Sequence, residues 1–206
     1  MDQARHDFVR LVDAVEAALA AAPAEAAEAF RAGLAAVRGA ALRCWPEAAA
    51  FDLPVCRFWD VALSIAGPPA LAAPLRTLGP RLVWTQNAGY RRSPVAAPFL
   101  DGYGYAVIAG PAAGAPGLAA CETLALGVLL LGPGTHYPRH VHPAREVYLP
   151  LVAAEWQQGE GAWTSREAGA VIHHAPGVPH AVRSGETPLL AVYLWAGDLA
   201  TPARLV

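Results

Sequence analysis

The texture of the chain changes near residue 100, and the part that follows limits the possible folds most strongly. Short runs of apolar, β-branched and aromatic residues recur there between glycines and prolines. They are Tyr103–Ala109, Cys121–Leu131, Tyr137–His142, Glu146–Val152, Glu155–Gln158, Ala162–Ser165, Ala170–His173, His180–Arg183 and Leu189–Trp195. Short strands at such close, regular spacing predict an all-β sandwich or small barrel.

The sequence before residue 100 reads differently. Phe8, Leu11, Val12, Val15 and Leu19, then Phe30, Leu34 and Val37, recur at three-and-four spacing in an alanine-rich background from Asp2 to about Arg38. That is the period of two amphipathic helices, separated at Pro23 and stopped at Gly39. From 41 to 85, Pro46, Pro54, Gly67-Pro68-Pro69, Pro74 and Gly79-Pro80 break a helical pattern into short helices and turns, and residues 91–101 read as a loop. The expected organisation is a helical region, residues 1–100, packing on a β-barrel, residues 101–206.

Several function classes are excluded by composition. A formal net charge of −2 and an isoelectric point near 6.4 lack the basic face of a nucleic-acid binder. All 15 basic residues are arginine, which removes lysine Schiff-base chemistry and lysine phosphate loops. Although the mean hydropathy is +0.30, no uninterrupted apolar run reaches the ~18 residues of a membrane span. The N-terminus is polar with no signal segment, so a cytoplasmic protein is expected. Cys44, Cys56 and Cys121 are odd in number and lack CxxC spacing, so they read as small buried residues rather than a disulfide framework.

Six of the seven histidines lie between His136 and His180, and three of them join a carboxylate in one pattern. His140 and His142 are two apart and so share a strand face; Glu146 and Tyr148 share one on the next strand. Pro143-Ala144-Arg145 reads as a hairpin turn that sets the two pairs side by side, and His180 supplies a third imidazole. Imidazole and carboxylate donors converging with positions left open suit one catalytic divalent transition ion, Zn, Fe, Mn, Co or Ni. His140 is either a ligand or a group behind the ligands, with Tyr148 a possible fourth donor. His136, His173 and His174 fall outside the pattern and read as loop or packing residues. Trp156 and Trp163 bracket a hairpin as packing or interface residues, and Arg139 or Arg145 could meet an anionic substrate.

Two segments carry a resemblance. Gly134, five residues, His140-x-His142, three residues and Glu146 resemble the first motif of the cupins; Gly169 through Pro176-Gly177 to His180 resembles the second. The second departs from the common form, with proline and glycine adjacent and Ser184 at the polar position beyond the histidine, but the ligand positions are untouched. Tyr137 three residues before the histidine pair, Tyr148 two after the glutamate, and the ending Tyr193-Leu194-Trp195-Ala196-Gly197-Asp198 are similar to the cupin-type dimethylsulfoniopropionate lyases. Motif resemblance covers about residues 130–200; the N-terminal half matches only in character, and the overall length suits the family.

That resemblance implies a jelly-roll barrel with a metal held by His140, His142, Glu146 and His180. It also implies cleavage of dimethylsulfoniopropionate to dimethyl sulfide and acrylate by β-elimination. Tyr148 is the expected base, because it shares a face with Glu146 and a nearby dication favours its phenolate. Tyr137 is an alternative base or a hydroxyl orienting the substrate carboxylate. Trp195 and Tyr193 offer π surfaces to the sulfonium, each contact worth ~0.5–2 kcal/mol. The expected partner is a small carboxylate, with no nucleic acid or membrane, and the tryptophan strands and apolar helices suit a homodimer. A non-haem iron dioxygenase and a non-catalytic cupin that binds a small ligand use the same donor set.

Overall fold

A computed structural model describes residues 3–43, 53–93 and 96–206; Asp2, Cys44 and Pro46 lie outside the described residues. The two expected N-terminal helices are α1 (Gln3–Ala18), ending in a 3₁₀ turn to Ala21, and α2 (Ala24–Gly39). Pro23 stands just before α2, where its fixed φ and missing N–H suit a helix start. Shorter helices follow as α3 (Trp59–Ser64) and α4 (Pro69–Leu78). Residues 91–101 are not a plain loop. Among the described residues, the single-turn helix α5 (Ala88–Arg91) ends at its start and a second, α6 (Ala97–Leu100), lies within it, and Asn87 caps α5 by accepting from the Gly89 N–H at 2.8 Å.

The strands are β1 (Trp84–Thr85), β2 (Tyr103–Gly110), β3 (Gly117–Ala120), β4 (Leu124–Leu131), β5 (His136–Val141), β6 (Arg145–Pro150), β7 (Ala154–Gln158), β8 (Thr164–Arg166), β9 (Ile172–His174), β10 (His180–Arg183), β11 (Leu189–Ala196) and β12 (Arg204–Leu205). They form two sheets: β1-β2-β4-β11-β6-β9, with β3 added to β2 in parallel, and β12-β5-β10-β7-β8. All other pairings are antiparallel.

Alternation along β11 explains why its sequence reads as continuously apolar. Leu190, Val192 and Leu194 join a cluster with Phe8, Leu11, Phe30 and Leu34 of the helices, whereas Leu189, Ala191 and Tyr193 join a second cluster between the sheets. The larger sheet is therefore buried on both faces, one under helices and one against the smaller sheet. Of the features on which the sequence suggests a homodimer, the apolar helix faces and Trp156 are turned inward, whereas Trp163 is partly exposed beside Arg183. Val61, Ile65 and Val206 are the exposed large hydrophobics among the described residues.

One turn differs from its sequence reading in a way that shapes the site. Pro143-Ala144-Arg145 does not close a hairpin, because β5 pairs with β10 and β12 while β6 pairs with β11 and β9. Both edges of each strand are taken, so the segment is a corner carrying the chain from one sheet to the other. Proline, with no N–H to give a ladder, suits such an exit. The two pairs of side chains consequently meet across the barrel interior instead of lying side by side.

Candidate metal centre

The corner makes four donors converge. His140 on β5 lies opposite His180 on β10 in register, His142 stands just beyond β5, and Glu146 comes from the facing sheet. All four are at most 3% exposed. Each imidazole is pinned at Nδ1 to a carbonyl two residues away: His140 to Pro138 at 2.9 Å, His142 to Ala144 at 3.0 Å and His180 to Val178 at 3.0 Å. A carbonyl only accepts, so Nδ1 carries the proton and Nε2 keeps its lone pair as a ligand atom.

The Nε2 atoms of His142 and His180 lie 3.1 and 3.0 Å from Glu146 Oε2. In the neutral tautomer that contact sets lone pairs against a carboxylate oxygen inside a dry interior, where a cation between them converts repulsion into coordination. Ligand atoms of His140, His142 and His180 lie within 4.8 Å of one another, as do those of Glu146, His174 and His180. The donor set therefore fits a divalent transition ion.

Electrostatics agree with that chemistry. Burial, reinforced by His180, holds the pKa of His140 well below the usual histidine range and keeps it neutral. Burial opposes the charged form of Glu146, but the nearness of the His142 and His180 imidazoles outweighs it and holds its carboxyl well below the usual range. The other carboxylate oxygen accepts from Trp195 Nε1 at 2.6 Å. Burial, then the Glu146 charge, pushes the Tyr148 phenol well above its ordinary value.

A cavity of about 270 Å³ abuts Glu146. Tyr103, Tyr105, Tyr137, Tyr148, Tyr193 and Trp195 line it, so five of the six tyrosines face one space. Glu146 is the one charged residue among the described lining residues. Tyr193 lies against its register partner Gly127 on β4, where a Cβ would stand 2.5 Å from the phenol ring. Tyr137 reaches its partner through the hydroxyl, 3.1 Å from Tyr90 of α5.

The candidate residues His140, His142, Glu146, His180, Tyr137, Tyr148, Tyr193 and Trp195 are thus brought together. Arg139 and Arg145 are not; they pair with Glu160 and Glu25 away from the cavity. His136 is exposed beside Trp163, and His173 contacts Arg145. His174, read from sequence as packing, is 1% exposed and enters the cluster opposite Glu146, its pKa depressed to about 3 by burial and by His180. Alternation within β2, with Tyr103 and Tyr105 on one face, was a signal for those two; nothing local to α5 marks Tyr90.

The two-sheet barrel with a buried His/Glu cluster inside defines a cupin with a site compatible with metal. The family model for dimethylsulfoniopropionate lyases matches residues 46–191, and the chain belongs to that family. It is 36% identical over 114 residues to dimethylsulfoniopropionate lyase DddQ of Ruegeria pomeroyi, covering 54% of each chain. It is 34% identical over 119 residues to putative dimethylsulfoniopropionate lyase DddL of Cereibacter sphaeroides, covering 57% of this chain and 47% of that one. The chain therefore matches about half the length of these curated relatives. The crystal structure of DddQ from Ruegeria pomeroyi superposes with a TM-score of 0.75 at 25% identity, covering 100% of this chain and 98% of that one. A chain from the crystal structures of lyases RdDddP and RnDddQII gives 0.72 at 23% identity, covering 99% and 100%, a likeness of fold.

Proposed function

We propose that this chain cleaves dimethylsulfoniopropionate to dimethyl sulfide and acrylate by metal-dependent, base-catalysed β-elimination. The observation that carries this is the cavity, whose wall of tyrosine rings meets a His/Glu cluster with Tyr148 at the seam. His140, His142, Glu146 and His180 would hold the ion. Bound there, a divalent ion supplies positive charge that stabilises the enediolate and the phenolate of Tyr148.

The protein's own groups do the rest. Tyr148, 4% exposed and two residues from Glu146 on β6, takes the proton alpha to the substrate carboxylate. The C–H electrons become the new C=C bond, the C–S bond breaks with its pair going to sulfur, and neutral dimethyl sulfide departs. Tyr193 and Trp195 offer ring surface to the sulfonium, and Tyr105 extends that wall, its ring 6.4 Å from that of Tyr193. The described helices before residue 101 cover one face of the barrel, to which β1 adds a short strand, and α5 contributes Tyr90 beneath Tyr137.

Tyr90→Phe deletes the hydroxyl that steadies Tyr137 and keeps the ring that packs on Phe99 and Tyr103. A hydrogen bond of about 1 kcal/mol predicts a roughly fivefold fall in turnover. Steady-state kinetics alongside a melting curve check it, and the melting temperature is expected to fall by no more than about 2–4 °C.

The function is tested with protein stripped by a chelator and reloaded with Zn, Mn, Fe, Co or Ni. Substrate is added without oxygen and headspace dimethyl sulfide is measured. Release confined to reloaded protein is expected. Oxygen consumption with Fe(II) alone points to the dioxygenase, and a binding-only cupin gives no product with any ion.

A further inference from the structure

We propose that His174 is a positioning residue for the metal centre, the ring whose face fixes the angle at which His180 presents Nε2. The inference rests on the metal-holding role given above to His180 and deepens it.

Each of the three pattern histidines has a ring laid flat on it. Tyr137 stacks on His140 with centroids 4.0 Å apart and planes at 4°; Trp195 stacks on His142 at 4.1 Å and 29°; His174 stacks on His180 at 3.9 Å and 7°. The Nδ1 hydrogen bonds anchor the imidazoles at one point and leave a tilt about the side-chain axis, which a ring on the face blocks. Tyr137 and Trp195 hold their own places by hydrogen bonds to Tyr90 and Glu146. His174 differs, since both of its ring nitrogens are buried with no hydrogen-bond partner. Burying an imidazole unpaired is unfavourable, so its retention at 1% exposure calls for another role.

Distance alone offers a rival, because a His174 nitrogen lies within 4.8 Å of donor atoms on Glu146 and His180. The stack argues against it. An imidazole lone pair lies in the ring plane, and two parallel planes separated by a stacking distance do not share an ion lying in both. His174 emerges opposite Glu146 on the neighbouring strand, with Tyr148 edge-on at 6.1 Å and Trp156 at 6.4 Å. It is held there by packing, as a face support requires.

The test uses the full chain and Zn(II) alone, with affinity measured by competition against a chromophoric chelator and the visible spectrum of bound Co(II) recorded in parallel. His174→Ala and His174→Leu, which lack a planar face, are expected to bind Zn(II) about tenfold more weakly. His174→Phe restores the face and is expected to bind within about threefold of native, with the Co(II) bands unmoved. Unchanged affinity in both the Ala and Leu variants overturns the proposal, as does a Phe variant that loses as much as Ala with shifted Co(II) bands, the signature of a lost ligand. If one of the small-residue variants does not fold, the Phe variant still decides by its affinity and spectrum. No Zn(II) binding by the native chain overturns the metal reading and this proposal together, whereas binding with activity absent sinks only the substrate.

Discussion

His180→Ala is expected to abolish metal retention and lower the rate of dimethyl sulfide release by about 10³-fold or more, the worth of several kcal/mol of charge stabilisation. His180 belongs to both groups of converging donors and faces His140 across the β5–β10 ladder. Removing it also leaves Glu146, 1% exposed, with His142 as its one remaining imidazole neighbour within 3.1 Å. With the ion lost, the buried Glu146 carboxylate is left uncompensated, which costs about 3–5 kcal/mol, so the melting temperature should fall as well. Metal content after dialysis, turnover and a thermal melt read the three effects. Retained metal and native turnover would remove His180 from the centre.

The second large effect separates chemistry from coordination. Tyr148→Phe is expected to lower turnover by about 10²–10⁴-fold, the usual contribution of a positioned base, while metal content stays within about twofold of native. Phenylalanine preserves the packing of Tyr148 on Trp156, ring centroids 4.8 Å apart, so folding should be unaffected. Tyr137 is the competing base. Its hydroxyl is already hydrogen-bonded to Tyr90 and its ring is flat on His140, which suits holding better than proton transfer. Tyr137→Phe should therefore lose less than Tyr148→Phe; the reverse order in steady-state kinetics would exchange the two roles.

The strands were legible in the sequence, because they rest on local periodicity. Alternation placed His140, His142, Glu146 and Tyr148 on faces that do converge, and the helix period of Phe8 to Leu19 matched α1. What was not legible depended on which strand pairs with which. A turn-like Pro143-Ala144-Arg145 is equally at home in a hairpin and in a corner between sheets, and the choice is made by the competing edges of β10 and β11. His174 had no motif to announce it; it reaches the cluster through the pairing of β9 with β6, a contact of residues 28 apart in sequence. Tyr90 comes from a single helical turn 47 residues from Tyr137 in sequence, so nothing in its own stretch of sequence ties it to Tyr137. The arginines show the opposite error, since nearness in sequence to the donors did not bring Arg139 or Arg145 into the cavity.

The central claim is that this site performs an elimination that depends on a bound ion. Proton NMR of metal-loaded protein mixed with dimethylsulfoniopropionate under anaerobic conditions tests it most directly. Acrylate and dimethyl sulfide should appear in equal amounts, stop on addition of a chelator and resume when the ion is restored. Equal rates from stripped and loaded protein, or product that forms only when oxygen is admitted, would contradict it.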